Sequence, residues 1–322
     1  MDFRTTIKPL AHKGMIAHDC AITMLGSCFS DNIGSRLQRA LFDVEVNPFG
    51  TLYNPASIAS ALRDLVDCRE FGQNDLFEYQ GRYHSFSHHS SFSGVHAHEV
   101  VSRINSKLVE ASELLRRSQV LIVTFGTAYV YESKKTQNVV SNCHKLPAVE
   151  FNRRLMSIDE IVNMWSLLIA DLKGVNPGLK IIFTVSPIRH LADGAHGNQV
   201  SKSTLLLAVE RLCSQLDDLL YFPAYEIMID DLRDYRFYAS DMTHPSDVAV
   251  DYIYEIFSQS FFSEETRNLA QECEKLTRRL THRHMTDDVL AIEKFNQSTQ
   301  QIIEKMLLSH PYLGSAINKI QL

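Results

Sequence analysis

Ala21-Ile22-Thr23-Met24-Leu25-Gly26-Ser27-Cys28-Phe29-Ser30 is the stretch that decides the fold. Its first five residues form a short apolar run that reads as a buried strand. Ser30 is placed to cap a helix over roughly 31–42, where Ile33, Leu37, Leu41 and Phe42 share one face. The order is therefore strand, tight turn, helix, and Gly26 lets the backbone turn sharply. A nucleophile in such a turn sits at a helix N-terminus, whose partial positive charge favours a thiolate and binds an oxyanion. A buried cysteine that only packs fits the same residues, and the turn alone does not separate the two readings.

Outward from this turn, short apolar runs alternate with helical patterns. Val44-Glu45-Val46 reads as a second strand, residues 47–55 as a loop of turn residues, and Ala56–Val66 as a helix with Ile58, Leu62 and Leu65 on one face. Residues 69–96 are irregular and rich in His, Ser and aromatics, and a helix follows over about 97–116. Gln119–Phe125 reads as a buried strand ending at Gly126, and 127–156 as a long excursion carrying Asn142-Cys143-His144-Lys145. A helix over 157–173 leads to a strand over Lys180–Val185, and a helix over 199–219 leads to a strand over about 221–229. In the loop Asp241-Met242-Thr243-His244-Pro245-Ser246, Ser246 caps a helix over 247–260. The alternation predicts an α/β fold with three layers and a mainly parallel sheet. Sites of such sheets lie beyond the C-terminal strand ends, where 26–30, 47–55, 126–145, 186–202 and 241–246 all fall. From 263 the chain turns charged and helical, with helices expected over 264–282 and 286–308. The expected organisation is one domain over 1–262 and a helical extension over 263–322.

Composition narrows the function. The 322 residues are 45% hydrophobic and 22% charged, with a net charge of −6 and no basic stripe, which argues against nucleic acid as partner. No apolar run approaches the ~18 residues of a membrane span, so no membrane partner is expected. The N-terminus lacks the apolar core of a secretory signal. The six cysteines are scattered without a CxxC pair, which favours a reducing cytoplasm over disulfides and argues against a zinc cluster. His84, His88 and His89 invite a metal reading, but no carboxylate or cysteine accompanies them at ligand spacing, and a wall recognising a hydroxyl-rich substrate fits better. No metal and no cofactor is expected. Oligomeric state stays open.

A nucleophile needs a base and usually a group that orients it. Asp241 and His244 supply both, since a spacing of three in a loop lets the carboxylate fold back on the imidazole. A capping aspartate beside a surface histidine is the competing reading. Arg189 and His190 follow a strand end, with Asn198, Ser201 and Lys202 beyond, and are expected to line the same mouth, with His190 as rival base.

With both ends in view, the pattern resembles the SGNH/GDSL hydrolase superfamily, where a first strand ends in Gly-Asp-Ser and an Asp-x-x-His comes near the domain's end. More closely it resembles the GSCFA family, whose motif Gly26-Ser27-Cys28-Phe29-Ser30 matches except at its last position. Asn47-Pro48-Phe49-Gly50, Asn54-Pro55, Phe125-Gly126-Thr127-Ala128, Asn142-Cys143-His144-Lys145, Ser186-Pro187 and His190 also look like that family. The resemblance implies an SGNH-hydrolase, flavodoxin-like fold. It puts Cys28, rather than Ser27, at the nucleophile, with Ser27 as a positional or oxyanion residue. It implies Gly50 as one oxyanion donor. At the third strand Gly126-Thr127-Ala128-Tyr129 lacks the Asn of the superfamily's Gly-x-Asn, and Asn142 or backbone N–H groups would have to replace it. His144 and Lys145 are candidates for a substrate anion or for a solvated loop. The resulting expectation is an esterase or acyltransferase acting on an acyl ester or amide, with a small molecule or carbohydrate as carrier. The alternative is a non-catalytic module that binds such a ligand on the same fold.

Overall fold

The computed structural model describes residues 4–283 and 288–321. In chain order the elements up to the middle sheet are β1 (Ala21–Gly26), α1 (Cys28–Arg39), β2 (Asp43–Val46), α2 (Pro55–Val66), a hairpin of β3 (Phe77–Tyr79) and β4 (Arg82–His84), α3 (Ala97–Arg117) and β5 (Val120–Phe125). Then come β6 (Tyr129–Ser133), β7 (Val139–Val140), β8 (Phe151–Leu155), α4 (Ile158–Val175), β9 (Lys180–Val185), α5 (Gly194–Gln215) and β10 (Leu219–Phe222). A short turn α6 (Ala224–Glu226), α7 (Asp247–Phe261), α8 (Glu264–Leu280), α9 (Val289–Ser309) and α10 (Gly314–Gln321) complete the described chain.

The main sheet has the order β10-β9-β5-β1-β2, and every pairing in it is parallel. Taken in chain order its strands run 2-1-3-4-5, the flavodoxin-like order, whose switch point lies between the first and third strands. That crevice is where β1 and β5 end. Side chains alternate across the sheet as a period of two requires. Leu25, Leu121, Val123, Phe125, Ile181 and Phe183 pack against α2, α3, α4 and α5 on one face. Ile22, Met24, Val120, Ile122, Ile182 and Phe222 pack against α1 and α7 on the other. Both faces are covered, so the architecture has three layers, as the alternation predicts.

Three local expectations are corrected. Helix α1 begins at Cys28, and Ser27 rather than Ser30 caps it, its hydroxyl accepting from Phe29 N–H at 3.3 Å. Ser30 is already inside the helix and donates to Thr124 Oγ1 at 2.8 Å. The predicted strand over 221–229 stops at Phe222 and gives way to helical turns over 224–231. The irregular 127–156 excursion holds an antiparallel sheet of order β7-β6-β8.

Beyond 262, α8, α9 and α10 enclose a third apolar cluster of Leu269, Cys273, Leu276, Ile303, Met306, Leu313 and Ile317. Leu41 joins it; read from the sequence as part of the α1 face, it lies past the helix end at φ 60° and turns its side chain toward the extension. The expected helix start at 286 lies outside the described residues.

Candidate functional site

The β1–α1 turn is tied to the strands on both sides. Gly26 N–H donates to Asn47 Oδ1 at 2.8 Å, and its carbonyl accepts from Leu52 N–H at 2.9 Å. Ser27 N–H donates to Thr124 O at 3.2 Å. Gly26 adopts φ +150°, and a Cβ there would lie 2.3 Å from Thr124 O, so no larger residue fits. Ser27 is buried with its hydroxyl occupied by the cap. Cys28, one residue on, keeps a partly exposed thiol whose protein partner is the Tyr53 hydroxyl at 3.5 Å. Among the described residues nothing accepts the Cys28 N–H, as expected of a first helical residue.

The loop after β2 supplies the frame. Asn47, at φ 48°, spans from Gly26 to Asp31, its Nδ2 donating to Asp31 Oδ1 at 2.7 Å. Tyr53 O accepts from both Gly126 N–H (2.7 Å) and Thr127 N–H (2.9 Å), stitching this loop to the end of β5. Asn54 then caps α2 through its side chain, which accepts from Ser57 N–H at 2.8 Å. Two expected oxyanion groups are thereby occupied: Gly126 N–H by Tyr53 O, and Gly50 N–H by Asn47 O at 2.7 Å. Gly50 lies under His89, where a Cβ would come within 2.3 Å of the His89 Cβ.

His190 reaches this frame from the end of β9. Its ring meets Tyr53 edge-on, with centroids 5.9 Å apart. Its Nε2 is buried, has no hydrogen-bond partner, and lies 3.3 Å from where a Gly126 Cβ would stand. Burial pushes the imidazole down to about 4, and the charges of Lys202, His244 and Arg153 push the same way. His190 is therefore neutral at pH 7. Behind it, α5 contributes Asn198, Ser201 and Lys202, all buried rather than lining a mouth. Asn198 Oδ1 accepts from His190 N–H at 2.9 Å, and Ser201 Oγ accepts from Ala128 N–H at 2.8 Å. Lys202 is 1% exposed; its Nζ donates to Gly126 O (2.6 Å) and Ser186 O (2.7 Å), the carbonyls just past β5 and β9. Burial pushes this amine down to about 7.

Asp241 and His244 pair as their spacing predicts. Asp241 Oδ1 accepts from the N–H of Thr243 and of His244, both at 2.9 Å, while Oδ2 meets His244 Nδ1 at 2.5 Å. These donors hold the Asp241 carboxyl well below the usual carboxylate range. The His244 side chain is 44% exposed, and its Nε2 is left without a protein partner among the described residues. Arg189 N–H donates to Thr243 O at 3.1 Å, docking the loop beside the end of β9. No hydrogen bond joins the Cys28 thiol to the His244 ring among the described residues.

Asn142 and His144 lie elsewhere. Asn142 Oδ1 accepts from His144 N–H at 2.8 Å, and the buried His144 ring packs on His84 (4.7 Å) with Nε2 against Ser85 O (2.7 Å). Among the described residues no hydrogen bond or ring contact joins either residue to Cys28, Ser27 or His244. The histidines of 84–89 are mainly packing too. His88 is buried, stacks on Phe49 at 4.7 Å, and is pushed down to about 3 by burial. Among the described residues no group of three or more His, Cys, Asp or Glu could hold a metal.

Tyr53 escaped the sequence reading. Its signal is a tyrosine between the Gly50 turn and the Asn54-Pro55 cap, at a strand end of a parallel sheet. Burial, together with the thiol contact, pushes its hydroxyl up, so it stays a phenol.

Fold and site together define a doubly wound α/β protein with a cysteine at the switch-point turn. The family model of the GSCFA family matches residues 21–257, from the first residue of β1 into α7. The chain belongs to the GSCFA family. No curated protein matches it. Among the described residues no helix is long and apolar enough to cross a membrane.

Proposed function

We propose that this chain is an SGNH-type hydrolase or acyltransferase that works through a cysteine. The observation that carries the reading is the division of labour at the turn: Ser27 is buried and spent on the helix cap, while Cys28 presents its thiol at the N-terminus of α1. The Asp241–His244 pair has the form of an oriented base, with Nδ1 held by the carboxylate and Nε2 open. Cys28 Sγ attacks the acyl carbon while its proton passes to His244 Nε2. The leaving alcohol or amine departs with that proton, and a thioester remains. Water or an acceptor hydroxyl, deprotonated by His244, then releases the acyl group. The Cys28 N–H is the open donor for the oxyanion; Gly50 and Gly126 would have to give up their present partners to join it. His244 must close on Cys28 when substrate binds, because no hydrogen bond joins them here. His190, buried next to Tyr53, is the second candidate base.

In this reading residues 1–262 carry the chemistry and 263–322 cover an apolar face. The six free cysteines support a reducing compartment, the cytoplasm.

Thiol labelling at pH 7 tests the proposal. Burial pushes up the thiols of Cys20, Cys143, Cys213 and Cys273, and Cys68, which is exposed, serves as the labelling reference. Cys28 should be alkylated by iodoacetamide faster than Cys68, and His244→Ala should remove the advantage. A panel of activated acyl esters and thioesters should leave an acyl mass on Cys28. Alkylation of Cys28 no faster than that of Cys68, with no acyl adduct, would favour the second reading, a non-catalytic module that binds a small molecule or carbohydrate. The occupied N–H groups of Gly50 and Gly126 are the observation on its side.

A further inference from the structure

Beside the Asp241–His244 loop lies a cavity of about 270 Å³ that the chemistry above does not use. Arg189 enters it from the end of β9, Tyr225 from α6, and Arg233, Tyr235 and Tyr238 from the segment leading to the loop. The cavity and the loop share a wall, since the Arg189 N–H is the group that holds Thr243 O.

Its charges are unmatched. Neither the Arg189 nor the Arg233 guanidinium has an ion pair or hydrogen bond among the described residues. The carboxylate that lines the cavity, Asp234, is already paired with Arg236 at 3.1 Å. The lining Gln199 accepts from the Tyr225 hydroxyl at 2.6 Å. The Tyr238 hydroxyl has no partner among the described residues. Both Tyr225 and Tyr238 feel the Arg189 charge, yet burial pushes both phenols up, so they remain donors. In a chain of net charge −6 this leaves a concave spot with two unpaired guanidiniums, a free phenolic O–H and tyrosine faces. Guanidinium forks match planar carboxylate and tetrahedral phosphate oxygens bidentately, and such charge-assisted bonds are the strong ones. The tyrosine rings offer flat apolar faces for whatever carries the anion.

We infer that this cavity is an anion subsite, in which Arg189 and Arg233 bind a carboxylate or phosphate on the substrate and the tyrosines pack against its carrier. Its role as a substrate subsite rests on the acyl-transfer reading; anion binding itself does not. The shared wall places the anion next to the catalytic loop, so the group would belong to the acceptor or leaving part of the substrate. The volume suits a phosphate or a short dicarboxylate.

Titration calorimetry on the full chain with inorganic phosphate and, separately, with succinate tests this. Saturable one-to-one binding in the ~mM range is expected for one or both. Arg189→Gln should weaken it at least ~10-fold, the loss of one charge-assisted contact. Arg233→Gln, at an exposed position, should weaken it too and carries the test if Arg189→Gln does not fold. Cys28→Ala should bind as wild type does. Tighter phosphate points to a phosphorylated substrate and tighter succinate to a carboxylated one. Binding of neither probe, or binding unchanged in the arginine variants, overturns the inference. Failure of Cys28 to acylate with anion binding intact would instead remove the acyl-transfer reading and leave the subsite standing.

Discussion

Gly26→Ala should be among the most damaging single-atom additions in the chain. The new Cβ would lie 2.3 Å from Thr124 O and 2.8 Å from Thr124 Cβ, both in the central strand β5, where neither backbone nor neighbour can yield cheaply. Three costs add. An L-residue at φ +150° costs ~1–3 kcal/mol of backbone strain. Overpacking adds ~1–3 kcal/mol. Pushing Thr124 O away weakens its bond from Ser27 N–H, worth ~1 kcal/mol. The expected loss is ~3–7 kcal/mol, against a total stability of ~5–15 kcal/mol for a typical domain. Gly81→Ala is the matched control: it also has positive φ, +70°, but its Cβ would meet nothing within 4 Å, so only strain of ~1–2 kcal/mol applies. Equilibrium urea unfolding reads both, followed by the fluorescence of Trp165, the single tryptophan, which is buried against Phe125 and Phe183. If Gly26→Ala loses no more than Gly81→Ala, the close approach of the turn to β5 is wrong, and the placement of Cys28 goes with it.

Further perturbations probe other parts of the molecule. Lys202→Met orphans Gly126 O and Ser186 O, so it should cost ~1–3 kcal/mol at pH 7 even though it removes a buried amine. Because the folded amine sits near 7 and the ordinary value is 10.5, the unfolded chain binds the extra proton in between; wild type should gain on the variant as pH rises through that window, read as diverging urea midpoints. For His88, burial lowers the folded value to about 3 from 6.5, so stability should fall as pH drops from 6.5 toward 3, by ~4 kcal/mol for this residue. His88→Phe should flatten that acid limb, and an unchanged limb would show that another group controls it. A chain ending at residue 262 should bare Leu41 and the surface under α8 and aggregate, while a monodisperse product in size-exclusion chromatography would mark 263–322 as an independent appendage.

The central strands β1, β5 and β9 were readable because strands buried on both faces leave continuous apolar runs. The Asp241–His244 pair was readable because it is local, three residues in one loop. What the residues did not disclose is mostly non-local. Ser27 and Ser30 lie on either side of Cys28 as rival caps, and the sequence does not show that Ser27 takes the cap while the Ser30 hydroxyl is drawn to Thr124, 94 residues away. The β6–β8 sheet carries Glu132, Arg153 and Arg154 among its pairs, so it lacks the apolar signature of a strand. Asn142 and His144 sat in a family-like motif, yet their contacts are with the hairpin segment rather than the thiol. Lys202 is expected from the sequence to line the mouth of the site; its burial follows from the two carbonyls that converge on it.

The pairing of β1 with β5 also bears on the order of events during synthesis. Ser30 and its partner Thr124 are 94 residues apart, and Ser27 leans on the same threonine. An emerging chain that stops short of β5 therefore has the Gly26–Cys28 segment without its wall, and α1 without the strand that sets its start. Lys202 comes later still, and the His244 loop last. The Cys28 thiol thus emerges long before the Asp241–His244 loop, and early closure of β5 over the turn is what would cover it.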